Sequence, residues 1–236
     1  MNIIDLYSTR IQKSFDEDQA EIVSILKANI NKKFKLINYY KGMPLSYPAT
    51  LTTMDRGAAD FDVQAEQAFA IEQSRFAFIR SPLFKHDVFA EMQYVNVKKC
   101  AAVFTKFSYV EIMAERRNFI RLEPESKVST VIESPLGKIA GKLFDLSLSG
   151  LNVSIDNYHS LVINTSTPIR FNISNIDQTV NINVAVAAEL IIIKDDSSPY
   201  SYKFTICPDK ALESSLSKYI FQRQIEIIRE IKDAIS

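Results

Sequence analysis

Three arginines fall within six positions in ERRNFIRLEP, residues Glu115 to Pro124: Arg116, Arg117 and Arg121. A guanidinium is a planar fork of donors. It fits phosphate oxygens two at a time, and it fits the O6 and N7 acceptors of guanine equally well. In an extended segment, residues four apart face the same way at a separation of about 13 Å, so Arg117 and Arg121 could reach two parts of one anionic ligand. Further along comes FDLSLSGLNV, Phe144 to Val153. Asp145 can accept from the N1–H and N2–H₂ of guanine, and the Ser147 hydroxyl can add a neutral contact to phosphate. RxxxR with DxSxxG therefore suits a ligand that carries both guanine and phosphate. The plainer alternative is that the arginines solvate an inter-domain segment beside Glu115 and Glu123, with DxSxxG as a solvated strand face.

The spacing inside FDLSLSGLNV has a structural consequence. Leu146 and Leu148 share a parity, which turns Asp145, Ser147 and Ser149 the other way. After Gly150 the apolar positions become Leu151, Val153 and Ile155. One strand keeps its core face across such a slip only through a bulge or bend, which Gly150 permits. Asp145 and Ser147 are then expected outside the core, beside a kink that a ligand can approach closely.

The elements around these residues are mostly strands. Residues 14 to 31 read as a helix, with Ile22, Ile25, Leu26 and Ile30 on one face behind an acidic first turn. Strand-like runs follow at 33–40, 48–55, 60–64, 75–80, 87–97 and 99–111, with a short helix at 65–73. The second half alternates more cleanly. Ile169, Phe171 and Ile173 share a face, as do Val180, Ile182, Val184 and Val186, and Tyr200, Tyr202, Phe204 and Ile206. A hairpin is expected around Pro135 and Gly137. A helix from about Lys210 to Ile235, capped by Asp209, carries Leu212, Leu216, Ile220, Ile227, Ile231 and Ile235. The expectation is a mainly β chain of two antiparallel β-barrel domains. Residues 1–111 form a split-barrel-like domain behind one helix, and residues 112–236 form a six-stranded barrel with a terminal helix.

Composition narrows the partners. The chain has 236 residues, with 28 basic and 28 acidic side chains. No global field favours DNA, RNA or an anionic membrane, so any anion site is local. Cys100 and Cys207 have no metal-ligand spacing and read as buried, reduced thiols, which suits a cytoplasmic protein. The N-terminus lacks the layout of a secretion signal, and no apolar run approaches the roughly 20 residues that span a bilayer.

Arg117-Asn-Phe-Ile-Arg121 followed by Asp145-Leu-Ser147-Leu-Ser-Gly150 resembles the PilZ family, whose members bind the bacterial second messenger cyclic di-GMP. The resemblance covers roughly 112 to 236. It implies a six-stranded barrel with RxxxR at its entrance and DxSxxG on its surface. Arg117 and Arg121 would bind guanine and phosphate, Asp145 and Ser147 a guanine edge and phosphate, and Gly150 would permit close approach. Arg116 would stack on an extra guanine, favouring an intercalated nucleotide dimer. Where the family often has a glycine ahead of a buried Phe, this chain has Tyr202 and Lys203 before Phe204. Residues 1 to about 110 are similar in layout to the N-terminal barrel of flagellar-brake-type proteins. There the ligand bridges two domains, reorients them and so regulates a protein partner. The terminal helix could also pair two copies as a homodimer.

Enzymatic signals are sparse. His86 and His159 sit in turn-like contexts. GxxxxGK[ST], GxGxxG and HExxH are absent, and the whole chain has five glycines. Asp195-Asp196 and Asp16-Glu17-Asp18 read as solvated turns or helix starts. The reading is a receptor without catalysis and without a cofactor or metal. The alternatives are a nucleotide-independent adaptor with the same fold and a flavin-binding split-barrel oxidoreductase.

Overall fold

Ser14 starts the first helix, α1 (Phe15–Lys27). It is extended, its Oγ accepts from the Glu17 N–H at 3.3 Å, and Asp16, Glu17 and Asp18 follow in the first turn. The computed structural model describes residues 6–135, 137–176, 181–194 and 198–236, and it buries Ile22 and Leu26 of α1 completely. The helix stops at Lys27, short of residue 31. Asn29 turns its side-chain amide onto the Ile25 carbonyl at 2.7 Å, and Asn31 takes a left-handed φ of +65°. Ile30, expected on the apolar face, is therefore exposed.

The chain divides into two units. One comprises Asn118–Ile227. The other runs up to Arg117 and takes in Ile228–Ser236.

In the second of these, the strands are β1 (Tyr7–Thr9), β2 (Lys33–Tyr40), β3 (Met43–Asp55), β4 (Ala58–Asp62), β5 (Phe76–Arg80), β6 (Asp87–Asn96) and β7 (Ala101–Ile112), with α2 (Ala65–Ser74) between β4 and β5. The sheet order is β1-β7-β4-β3-β2-β5-β6. Because β6 also pairs with β7, the ladder returns on itself. The sequence pattern starts β3 at Pro48, yet it begins at Met43 and contains Pro44 and Pro48. These two lie four apart, so both missing N–H groups belong to one edge. β2 borders β3 along Met43–Thr50, whereas β4 pairs only from Thr50 onward. The missing donors therefore need cost no ladder bond. Phe34, Phe61 and Phe104 meet edge to face at 5.9 and 5.8 Å at the centre of this core.

The barrel unit is built from β8 (Val128–Ser134), β9 (Gly137–Leu146), β10 (Gly150–Ile155), β11 (Ser166–Ser174), β12 (Asn181–Lys194) and β13 (Tyr200–Ile206). These close in the order β10-β13-β12-β11-β8-β9, with every pairing antiparallel. The alternation read from the sequence is the packing observed, except at Tyr200, which is only half-buried. Ile169, Phe171, Ile173, Ile182, Val184, Val186, Tyr202, Phe204 and Ile206 are all buried. Val180, Leu136 of the first hairpin, and Asp195-Asp196 lie outside the described residues. A register shift between Leu190 and Ile192 turns Ile191 and Ile192 outward.

Asp209 caps α3 (Lys210–Ile235), its Oδ1 accepting from the Leu212 N–H at 2.8 Å. Leu216, Ile220, Ile227 and Ile231 are buried as the periodicity requires, and Tyr219, Arg223 and Glu226 are buried with them. The expectation of two buried thiols fails. Cys207 is exposed just beyond β13, and Cys100 is half-buried in the turn into β7 with φ +50°. The fold is thus mainly β, with one closed six-stranded antiparallel barrel, a second sheet and a C-terminal helix. Among the described residues, no helix is long and apolar enough to cross a membrane.

Candidate functional site

β7 runs into a 3-10 turn, Met113–Arg116, and the chain then bends at Asn118 and Phe119. The arginine segment is therefore not the continuous extended run that would space Arg117 and Arg121 evenly. The 3-10 turn is held from its acidic side. Arg80 forks onto Asp87 through Nε and Nη2 at 2.7 and 2.6 Å, and onto Glu115 through Nη1 and Nη2 at 3.1 and 2.7 Å. The bonds to Asp87 first, and to Glu115 second, raise the Arg80 pKa further above its ordinary value. Burial pushes Tyr39 up to about 12, with Glu115 adding to the rise and Arg117 opposing it. Arg117 thus lies within electrostatic reach of the Tyr39 hydroxyl. Arg116 pairs with Glu111, which also takes Arg10, and its side chain stays exposed.

In the barrel unit, the rest of the arm is tied down by one pair of backbone bonds. Leu122 and Leu146 each donate an N–H to the other's carbonyl at 3.0 Å, an isolated antiparallel bridge. Leu122 is buried, which is worth roughly 1.5–3 kcal/mol for a leucine side chain. One residue earlier, the Arg121 guanidinium is brought to Asp145, with Nη1 4.0 Å from Oδ1. That separation is a charge contact longer than a hydrogen bond.

DxSxxG is not one kinked strand. β9 ends at Leu146, β10 starts at Gly150, and Leu151 pairs back onto Leu146. The parity slip arises because a turn reverses the chain. Ser147 closes that turn, donating both its N–H and its Oγ–H to the Gly150 carbonyl at 2.8 and 3.1 Å. The bulge falls elsewhere. Asn152 faces Asp145 and Val153 faces Leu143, so Phe144 is skipped and points to solvent. Asp145 and Ser147 are consequently buried, at 6% and 1% exposure, where the sequence pattern puts them outside the core.

Gly150 makes room at this turn. A Cβ there would meet the Phe204 carbonyl oxygen at 2.9 Å, Arg121 Nη2 at 3.4 Å and Ser147 Oγ at 3.9 Å. Of the sequence-predicted residues, Arg121, Asp145, Ser147 and Gly150 therefore converge within the barrel unit. Arg116 and Arg117 belong to the other unit. The sequence reading passes over Asn152. It lies opposite Asp145, is buried, and accepts from the Ser201 hydroxyl at 2.8 Å. An amide among apolar strand positions was the available signal.

The histidines have structural contacts. His86 stands edge-on to Tyr109 with centroids 6.0 Å apart. The His159 N–H donates to Tyr202 Oη at 2.7 Å, and its carbonyl accepts from the same hydroxyl at 2.8 Å. Among the described residues, no group of three or more His, Cys, Asp or Glu is placed to hold a metal ion.

No protein-family model matches the sequence, and no curated protein does. Solved structures similar to this chain include YcgR from Escherichia coli in complex with c-di-GMP, at 16% identity, covering 95% of this chain and 100% of that one with a TM-score of 0.46. The K. pneumonia MrkH–c-di-GMP complex aligns at 12% identity over 94% of this chain and 100% of that one, with a TM-score of 0.43. The PilZ domain of Escherichia coli YcgR with c-di-GMP aligns at 18% identity over 50% of this chain and 98% of that one, with a TM-score of 0.40.

Proposed function

We propose that this chain is a non-catalytic receptor for cyclic di-GMP. The observation that carries the reading is the approach of Arg121 to Asp145 over the side-chain-free Gly150. It joins the second arginine of RxxxR to the acid, hydroxyl and glycine of DxSxxG, two motifs that are separate in sequence. Chemically the set is complementary to one ligand. Asp145 accepts from the N1–H and N2–H₂ edge of a guanine. Arg121 offers a donor fork to phosphate oxygen or to guanine O6 and N7. Partial burial strengthens both contacts relative to open water.

In this reading Arg117 adds a second fork and Arg116 stacks on a further guanine, giving two nucleotides per chain. The arm contains the boundary between the two units, at Arg117 and Asn118. Ordering its arginines on a dianion would then alter how the units are arranged and so change contact with a partner protein. Motility, biofilm or virulence control is the output the family resemblance suggests.

Calorimetry with cyclic di-GMP on the purified chain tests the reading and gives stoichiometry directly. Arg121→Ala and Asp145→Ala should each weaken binding by roughly 1.5–3 kcal/mol, the value of one charge-assisted hydrogen bond. Affinities equal to wild type in both variants would place the site elsewhere.

A further inference from the structure

Arg223 is fully buried on α3, whereas nearly all other charged side chains among the described residues reach solvent. Its Nε donates to the Glu123 carbonyl at 2.9 Å, and its Nη1 lies 3.3 Å from Glu226 Oε2. Glu226 is itself buried, and its other carboxylate oxygen accepts from the Ile176 N–H at 2.9 Å. Tyr219, one turn back on the same face, is packed tightly enough that burial is the main cause raising its pKa to about 12. A guanidinium in such surroundings persists only if it is held by charge and geometry together.

The chain position of Glu123 gives this arrangement a purpose. Glu123 follows Leu122, the residue of the two-bond bridge to Leu146, and Leu122 follows Arg121. The segment carrying Arg121 therefore has two anchors in succession, one on β9 and one on α3. Each hydrogen bond of this kind is individually modest, but one that comes from a buried charge is costly to remove, because the partner Glu226 is left uncompensated.

We propose that Arg223 is a positioning residue for the cyclic di-GMP site: it touches no ligand, but through the Glu123 carbonyl it holds the Arg121 segment in place and makes the docking of α3 a condition of ligand binding. This rests on the receptor reading above. Helix docking and nucleotide binding then favour one another reciprocally, as any two coupled equilibria must.

Two measurements on the full chain separate this proposal from that reading. Hydrogen exchange without ligand reads the anchor itself. In Arg223→Met the Leu122 and Leu146 amides should lose protection by about tenfold, while the β11–β12 ladder keeps its own. Titration with cyclic di-GMP reads the consequence. Arg223→Met should weaken binding about tenfold, yet add nothing in the Arg121→Ala background, because the two residues act in series. Unchanged Leu122 protection, or independent and additive losses of affinity, would overturn the proposal. If Arg223→Met does not fold, Arg223→Lys keeps the charge against Glu226 while losing the fork that reaches Glu123, and it reads the same amides. If the wild-type chain takes up no cyclic di-GMP, the receptor reading falls, and the exchange measurement alone decides whether α3 anchors the arm.

Discussion

Arg121 Nη1 stands 4.0 Å from Asp145 Oδ1, and Arg121 Nη2 lies 3.4 Å from the point where a Gly150 side chain would begin. The guanidinium is at ordinary contact distance from that point, whereas the Phe204 carbonyl oxygen, 2.9 Å away, is too close for any side chain there. Gly150→Ala should strain the turn against the Phe204 carbonyl oxygen and so shift the backbone on which Arg121 and Ser147 converge. A loss of about 1–3 kcal/mol, typical of overpacking, is expected in denaturant unfolding, accompanied by weaker cyclic di-GMP binding. An alanine variant with an unchanged midpoint and unchanged affinity would show that the turn relaxes away from the Phe204 carbonyl without cost.

Arg80 governs the other end of the arm. Its double fork onto Asp87 and Glu115 ties down the 3-10 turn that precedes Arg117. Arg80→Leu leaves Arg121 and Asp145 untouched, so its affinity for cyclic di-GMP should fall between that of wild type and that of Arg121→Ala. Lys at this position cannot reproduce a fork on two carboxylates and should rescue poorly.

Burial raises the pKa of six of the ten tyrosines, Tyr39, Tyr109 and Tyr219 the most. Burial pushes Tyr39, Tyr109 and Tyr219 up to about 12 from an ordinary value of 10, with Glu21 reinforcing the rise at Tyr109. A raised folded-state pKa means that the native protein holds the phenol proton more tightly than the unfolded chain does. The resulting stabilisation is complete below pH 10 and is lost as pH rises through about 12. A spectrophotometric titration should show these rings ionising late or together with unfolding. Titration of all ten at the ordinary value in the folded protein would contradict the burial described here.

The two thiols should differ in reactivity. Cys207 is exposed, whereas Cys100 is half-buried with its Sγ 3.6 Å from the Val97 carbonyl oxygen. A maleimide should label the native chain first at Cys207, as peptide mapping would record, and both residues at similar rates only after unfolding.

Much of this architecture is legible in the linear chain because it depends on local rules. The period-two runs of β11, β12 and β13 declare which residues face the barrel interior, since successive side chains on a strand alternate by geometry alone. The ends of α3 follow from Asp209 and from the apolar spacing. RxxxR and DxSxxG mark the candidate site because their chemistry is carried by residue type. The orientation of that site was decided by tertiary pairing. A glycine with a parity slip is equally compatible with a bulge in one strand and with a reversal between two. Only the return of Leu151 onto Leu146 selects the reversal, and it buries Asp145 and Ser147. Arg223 was invisible for a related reason. An arginine on an apolar helix face looks like an interruption until the distant Glu123 carbonyl is folded against it. Periodicity and side-chain chemistry are properties of neighbours along the chain, whereas burial of a charge depends on groups that meet only once the barrel and helix have closed.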